Sequence, residues 1–516
     1  MENKSKRSAR SAMRMGLTCL MLGAFASVAC AKTPANEVEL AASEIVQDKR
    51  PNILWIMSED MGPELGIYGT PETITPNLDA LAKKGQVYEQ AFTNAPICSI
   101  SRSSLYTGMY QTSIGAHQHR TPEDRKKPLP EGVKLLTDHF RDAGYFTSLI
   151  KKIERDDGPD GWFEGKLKTD WNFTYEGEPY DTNALSDLKA NQPFFAHVQF
   201  PETHRGKDWD NAKNVIDHPA DPAKVDLPPY YPDTPTARDD WADYLDAVMA
   251  FDRKSGVVLR RLKEEGLDKN TIVIVLSDHG RAMVRGKQWL YDSGLHIPLF
   301  IYIPEGLEKP KGYKAGSRTD MMVSGIDITA TTLELAGIDP GLVMQGRAFL
   351  GDDAVQRTYT FAARDRADET VDYMRSVRDA RYRYIRNYMP ERPYTQLNGY
   401  KEAQYPVLRE MFRLYRDGKL GQIPSLFMAP KKPVEELFDT KTDPHNVVNL
   451  ANDPKYAAKL VEMRAALATW EVETNDQGRF PEPADIAASI HEKTEKKRAP
   501  EYQALVDKEG PWREGQ

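Results

Sequence analysis

The strongest order along the chain is a series of short, continuous apolar runs separated by segments of helical period. Asn52-Ile53-Leu54-Trp55-Ile56-Met57 is one such run, and residues 145–150, 194–200, 271–276 and 298–303 repeat it. A strand buried on both faces reads as a run and not as an alternation, so these predict strands of a mostly parallel sheet. Between them, residues 75–84, 103–110, 133–143 and 242–265 predict helices; in the last, Tyr244, Val248, Phe251, Val258 and Leu262 share one face. Alternating strands and helices predict an α/β fold with a large, mostly parallel central sheet flanked by helices.

Beyond about Gly351 the composition moves toward arginine, tyrosine and proline, with a strand-like Tyr382-Arg383-Tyr384-Ile385 and a helical pattern over 454–474. This predicts a smaller C-terminal α+β subdomain. The expected boundaries are a catalytic domain at 51–350, the subdomain at 351–480 and a charged, weakly patterned tail at 481–516.

The N-terminus has a different character. Lys4, Lys6, Arg7, Arg10 and Arg14 precede an apolar, small-residue stretch too short to anchor stably across a bilayer, the pattern of a signal peptide over 1–30. Ser27-Val28-Ala29-Cys30 resembles a bacterial lipobox, which would make Cys30 the lipidated first residue, while Ala29-Cys30-Ala31 also fits signal peptidase I. Residues 31–50 read as a polar tether. The expected location is therefore outside the cytoplasm of a bacterium, in the periplasm or on the outer membrane, with membrane attachment only through an N-terminal lipid. Losing residues 1–29 removes five basic groups and Glu2, moving the formal charge from −8 to −12. Such an acidic chain is poorly suited to nucleic acid, and an anionic substrate would need a locally positive pocket.

Two acidic pairs occupy the same topological place. Glu59-Asp60 follows the first apolar run through Ser58, and Asp278-His279 follows another through Ser277. Ligands bind at the carboxyl ends of strands in open α/β sheets, so these residues can form an oxygen-rich site for a divalent cation. Carboxylates with one imidazole suit calcium or magnesium better than zinc. Of three cysteines, only Cys98 lies clearly within the mature chain, in Pro96-Ile97-Cys98-Ser99-Ile100-Ser101-Arg102. Its spacing alone is equally compatible with a buried structural thiol and with chemistry.

Taken together, these pieces resemble the type I sulfatases of the alkaline-phosphatase-like superfamily. The resemblance rests on Glu59-Asp60, Thr75-Pro76-Asn77-Leu78-Asp79, the Cys98 to Arg102 signature with Leu105-Tyr106-Thr107-Gly108, Ser277-Asp278-His279-Gly280, Gly286-Lys287 and Glu436-Leu437-Phe438-Asp439. It implies that a maturase oxidises Cys98 to formylglycine. One hydroxyl of the hydrated aldehyde would attack the sulfur of a sulfate ester, and the second would let the aldehyde re-form and expel sulfate. The resemblance also implies Cys98 as a ligand of a calcium or magnesium ion, Arg102 orienting the hydrate, Lys287 reaching the sulfate and His204 as proton donor.

Glu59 stands where an aspartate is more common, and the family's Gly-Lys-x-His segment is absent as such. Of the two candidate matches to its lysine, Lys152 and Lys168, the second is preferred, with Asp170 two residues on as a candidate substrate contact. His117, His119 and Arg120, with Arg364 and Arg366, are candidate contacts to an acidic sugar. The expected substrate is a sulfated carbohydrate; a phosphoesterase or phosphonate monoester hydrolase, or a catalytically silent glycan-binding homologue, are the alternative readings.

Overall fold

The computed structural model describes residues 50–153 and 164–513, all within one unit, Asp48–Gln516. The expected signal peptide, Cys30 and all of the tether but Arg50 lie outside the described residues. Eight strands form the main sheet in the order β4 (Thr182–Ala184), β3 (Phe146–Lys152), β5 (Phe194–Phe200), β1 (Asn52–Ser58), β6 (Thr271–Ser277), β7 (Leu299–Tyr302), β2 (Gln86–Phe92), β8 (Ser317–Ser324). Only β7 runs antiparallel to its neighbours. The chain leaves the carboxyl end of β6 and re-enters the sheet from that same edge, so β7 must run back.

β1 lies at the centre, and its alternating side chains serve two cores. Leu54 and Ile56 pack with Tyr244, Val248 and Phe251 of the long helix Pro235–Glu264. Ile53, Trp55 and Met57 face the other way, toward Leu105, Phe140 and Leu333 from three shorter helices. Each of the five apolar runs coincides with a strand. β2 and β8 escaped the pattern because both carry charged residues, and β8 alternates exposed and half-buried positions along its first half.

Two helix starts lie earlier than their apolar period implied. The long helix begins at Pro235, where Thr234 caps it by accepting from the Ala237 N–H and proline takes the first turn. The helix expected over 103–110 spans Cys98–Thr107, closed by Gly108 in the left-handed region (φ 63°). Its serine-rich first turn has no apolar period, yet all its residues are buried.

A second, antiparallel sheet has the order β12 (Glu435–Asp439), β11 (Tyr382–Asn387), β10 (Met374–Arg378), β9 (Thr360–Arg364). Leu460, Met463, Leu467 and Trp470 of the helix Ala457–Glu473 pack on it against Val377, Tyr384 and Leu437. Within the segment read as a charged tail, Ala484–Glu509 is helical. After that helix, buried Trp512 donates to Glu402 Oε2 at 3.0 Å, so the end of the described chain packs against the short helix Gly399–Gln404.

Candidate active site

β1 and β6 are hydrogen-bonded neighbours in register Ser58 to Ser277, so both acidic pairs leave the sheet side by side at its carboxyl edge. The Asp60 N–H donates to Asp278 Oδ1 at 2.9 Å and the Met61 N–H to Ser277 Oγ at 3.0 Å. Asp60 itself is in the left-handed region (φ 56°), which aspartate tolerates better than most residues. One ligating atom from each of Asp60, Cys98, Asp278 and His279 lies within 4.8 Å of the others, and all four residues are buried.

Cys98 opens its helix after an extended Ile97. Its sulfur lies 3.2 Å from His279 Nε2, 3.4 Å from Asp60 Oδ1 and 3.2 Å from Lys287 Nζ. One turn on, fully buried Arg102 donates from Nε to Asp278 Oδ2 at 3.0 Å and also to the Gln199 side chain on β5. Lys287 Nζ donates to Asp60 Oδ2 at 2.6 Å.

Glu59 stands outside the four-residue cluster and faces a cationic wall instead. Lys168 Nζ is 3.1 Å from its Oε2, Lys166 Nζ 3.8 Å from the same oxygen, and Arg102 3.8 Å from Oε1. Burial pushes the Glu59 carboxyl up, but Lys168 and Arg102 outweigh it and hold it at about 2. Its Oε1 is buried and accepts no hydrogen bond. The structure thus brings in Lys168, and Asp170 at 3.7 Å from it, while Lys152 is exposed at the end of β3.

The His279 Nδ1–H donates to the Gly280 carbonyl at 2.8 Å, which aims Nε2 at Asp60. Burial disfavours its charged form, yet Asp278 and Asp60 raise it to about 10. His204 follows β5 and donates from Nδ1 to the Arg205 carbonyl at 2.9 Å. Burial, helped by Lys287, lowers it to about 4. The donor set fits a hard divalent cation: two carboxylates and an imidazole converge, with an unsatisfied Glu59 oxygen beside them.

The remaining sequence candidates divide. Arg120 is exposed at the tip of a turn, and His119 beneath it lies 3.0 Å from Asp368 Oδ1. His117 is buried. Arg364 and Arg366, expected as contacts to an acidic sugar, are buried in ion pairs. Arg364 is buried over Trp289 with Nη1 2.6 Å from Asp372, and Arg366 is held by Glu482 at 2.5 Å. A buried arginine needs a paired carboxylate, and these two have theirs inside the protein.

Two contributors escaped sequence reasoning. Gln199 interrupts an apolar strand run, and the polar residue in that run was itself the available signal. Tyr400, whose ring lies 5.5 Å from Lys287 Nζ and 6.1 Å from the His204 ring, comes from a short helix with no marked pattern.

The sulfatase family model matches residues 51–338, and the family model described as N-sulphoglucosamine sulphohydrolase, C-terminal, matches 280–425. An ulvan-active sulfatase from Formosa agariphila is 34% identical, over 86% of this chain and 78% of that protein. Human N-sulphoglucosamine sulphohydrolase is 28% identical, over 82% of this chain and 90% of its own. A solved structure described as a 2-O GAG sulfatase superposes with a TM-score of 0.54 at 20% identity, covering 85% of this chain and 96% of that one. The chain belongs to the sulfatase family. It is accordingly a sulfuric ester hydrolase.

Proposed function

We propose that the protein is an exported sulfatase that removes sulfate from esters on a sulfated glycan, with formylglycine made from Cys98 as nucleophile and calcium, or alternatively magnesium, beside it. The observation that carries this reading is the setting of the Cys98 sulfur. A structural thiol sits among apolar groups, whereas this one is surrounded by Lys287, His279 and Asp60. The names of the relatives, one active on ulvan and one on N-sulphoglucosamine, support a glycan. Export rests on the N-terminal segment, with Cys30 as the site of a lipid anchor.

A maturase that supplies a two-electron oxidant would convert the Cys98 thiol to a thioaldehyde, and water would displace its sulfur as sulfide and hydrate the resulting aldehyde. One hydroxyl of this hydrate attacks the ester sulfur as the bond to the alcohol oxygen breaks, and its second hydroxyl loses its proton as the carbonyl re-forms and sulfate leaves. Asp60, Asp278 and His279, with Glu59 beside them, would hold the cation, which supplies positive charge to the ester's non-bridging oxygens. Lys287 and Lys168 bring further positive charge to the same oxygens. Arg102, locked by Asp278 and Gln199, orients the side chain at position 98. His204, which follows β5, would be the proton donor to the leaving oxygen.

The test is the mass of the Cys98 peptide from protein made with and without a formylglycine-generating maturase, together with rates on 4-nitrophenyl sulfate and 4-nitrophenyl phosphate. Maturase-dependent conversion with faster sulfate turnover is expected. An unmodified thiol in the presence of the maturase, or faster phosphate turnover, overturns the reading.

A further inference from the structure

Arg120 occupies a position that the fold maintains at a cost. Its backbone lies in the left-handed region (φ 52°), uncommon for a residue with a Cβ and costing of order 1 kcal/mol or more unless the surroundings enforce it. Here they do. The His119 N–H donates to the Arg366 carbonyl at 3.0 Å, and Arg366 Nη1 donates back to the His119 carbonyl at 2.6 Å and to the Asp368 carbonyl at 2.7 Å. On the other side the Thr121 N–H donates to Asn172 Oδ1 at 3.0 Å, and the Asn172 N–H donates to Ser103 Oγ at 2.8 Å. Ser103 belongs to the helix that Cys98 opens, so the turn is bolted to the nucleophile's own element.

What this clamped turn presents is a guanidinium whose side chain is 66% exposed. Among the described residues its one ion-pair partner is Asp368, 3.7 Å from Nη1. That carboxylate is also engaged by His119 at 3.0 Å and by Gln288 Nε2 at 3.0 Å. Asp368 thus fixes one edge of the guanidinium and leaves its other donors to solvent. Gln288, which steadies Asp368, is the chain neighbour of Lys287.

We propose that Arg120 is a specificity-determining residue that binds a second anionic group of the substrate, a uronate carboxylate or a further sulfate, beside the ester being hydrolysed. The inference rests on the sulfatase reading above. An exposed, pre-positioned fork is the geometry that matches a planar or tetrahedral oxyanion, and strain held at a fixed turn is a mark of such a clamp. In a chain of formal charge −8, it also supplies attraction for a polyanion where the overall field is repulsive.

The test measures kcat and KM of wild type, Arg120→Ala and Arg120→Lys on two matched pairs of sulfated oligosaccharides prepared from ulvan and heparan sulfate. One pair differs in an intact or chemically reduced uronate carboxyl, the other in one or two sulfates per sugar. Wild type is expected to prefer the more anionic member of one pair, and which pair it is names the source of the charge. Arg120→Ala should erase that preference, mainly through a rise in KM of about 10- to 100-fold on the preferred substrate, with Arg120→Lys intermediate. Melting temperatures close to wild type establish that the variants fold. A wild type without preference in either pair, or a preference that survives Arg120→Ala, overturns the proposal. Failure of the matured wild type to release sulfate from any of these substrates or from 4-nitrophenyl sulfate instead overturns the sulfatase reading on which it rests.

Discussion

Lys287 Nζ donates to Asp60 Oδ2 across 2.6 Å, both groups buried, and so ties the loop after β6 to the end of β1. Removing the lysine leaves the buried Asp60 carboxylate beside Cys98 with His279 as its remaining close ion-pair partner. Lys287→Met is expected to lower kcat/KM by about 100-fold or more and to lose about 3–5 kcal/mol of stability in cation-free protein. Steady-state kinetics and urea unfolding check the two effects separately; unchanged unfolding would show that the pair adds nothing to the fold.

Gln199 accepts from Arg102 through Oε1 and donates from Nε2 to the Lys166 carbonyl at 2.7 Å and the Lys168 carbonyl at 3.0 Å. One amide therefore holds both the arginine and the lysine loop. Gln199→Leu strands these partners, and a loss of about 1–3 kcal/mol in stability is expected, with a larger fall in kcat than change in KM. Equal kcat in variant and wild type would separate Gln199 from the site.

Chelation should remove activity and lower the melting temperature, and added calcium should restore both. A cation present at about 100 times its dissociation constant contributes roughly 2.7 kcal/mol to the folded state. Scanning fluorimetry with and without EDTA reads this directly. Glu59→Gln should weaken the calcium response if the unsatisfied Glu59 oxygen reaches the ion, and leave it intact if Glu59 serves only the lysines.

Glu509 gives a pH test away from the site. Hydrogen bonds from Arg409 at 2.9 Å and Arg413 at 2.7 Å overcome partial burial and hold its carboxyl at about 2. A depressed folded pKa means that the stabilisation is present above the unfolded value of about 4.3 and disappears as pH falls toward 2. Glu509→Gln is therefore expected to melt below wild type at pH 7, with the gap closing between pH 4 and pH 2. A gap independent of pH would assign the effect to packing.

Trp512 and Arg513 both reach the Glu402 carboxylate, Arg513 Nε at 2.8 Å, while Lys401 next to it donates to the Lys287 carbonyl at 2.8 Å. Trp512→Ala should cost about 3–5 kcal/mol locally and reduce activity through the segment carrying Tyr400 and Lys401. Hydrogen exchange over 399–404 should rise in the variant; protection equal to wild type there would sink the link.

What could be read along the chain follows from how local each signal is. The runs over 52–57 and 271–276 announce doubly buried strands, and the charged pairs that end them announce a sheet edge. That β1 and β6 are neighbours is a matter of topology, and it is this adjacency that turns two pairs into one cluster. The burial of Arg364 and Arg366 was not legible because an arginine's exposure is decided by its partner: Asp372 lies eight residues on, but Glu482 lies 116 away. Gln199 is visible only when Arg102, 97 positions earlier, is folded against it.

The clasp at Glu402 also imposes an order in time. A ribosome makes Cys98 before the helix Gly399–Gln404, and Trp512 and Arg513 after both. Until they emerge, the segment carrying Tyr400 and Lys401 lacks the contacts that seat it beside Lys287. Cys98 therefore lies far ahead, along the chain, of the contacts that seat the segment beside Lys287, since Trp512 stands 110 positions after its partner Glu402.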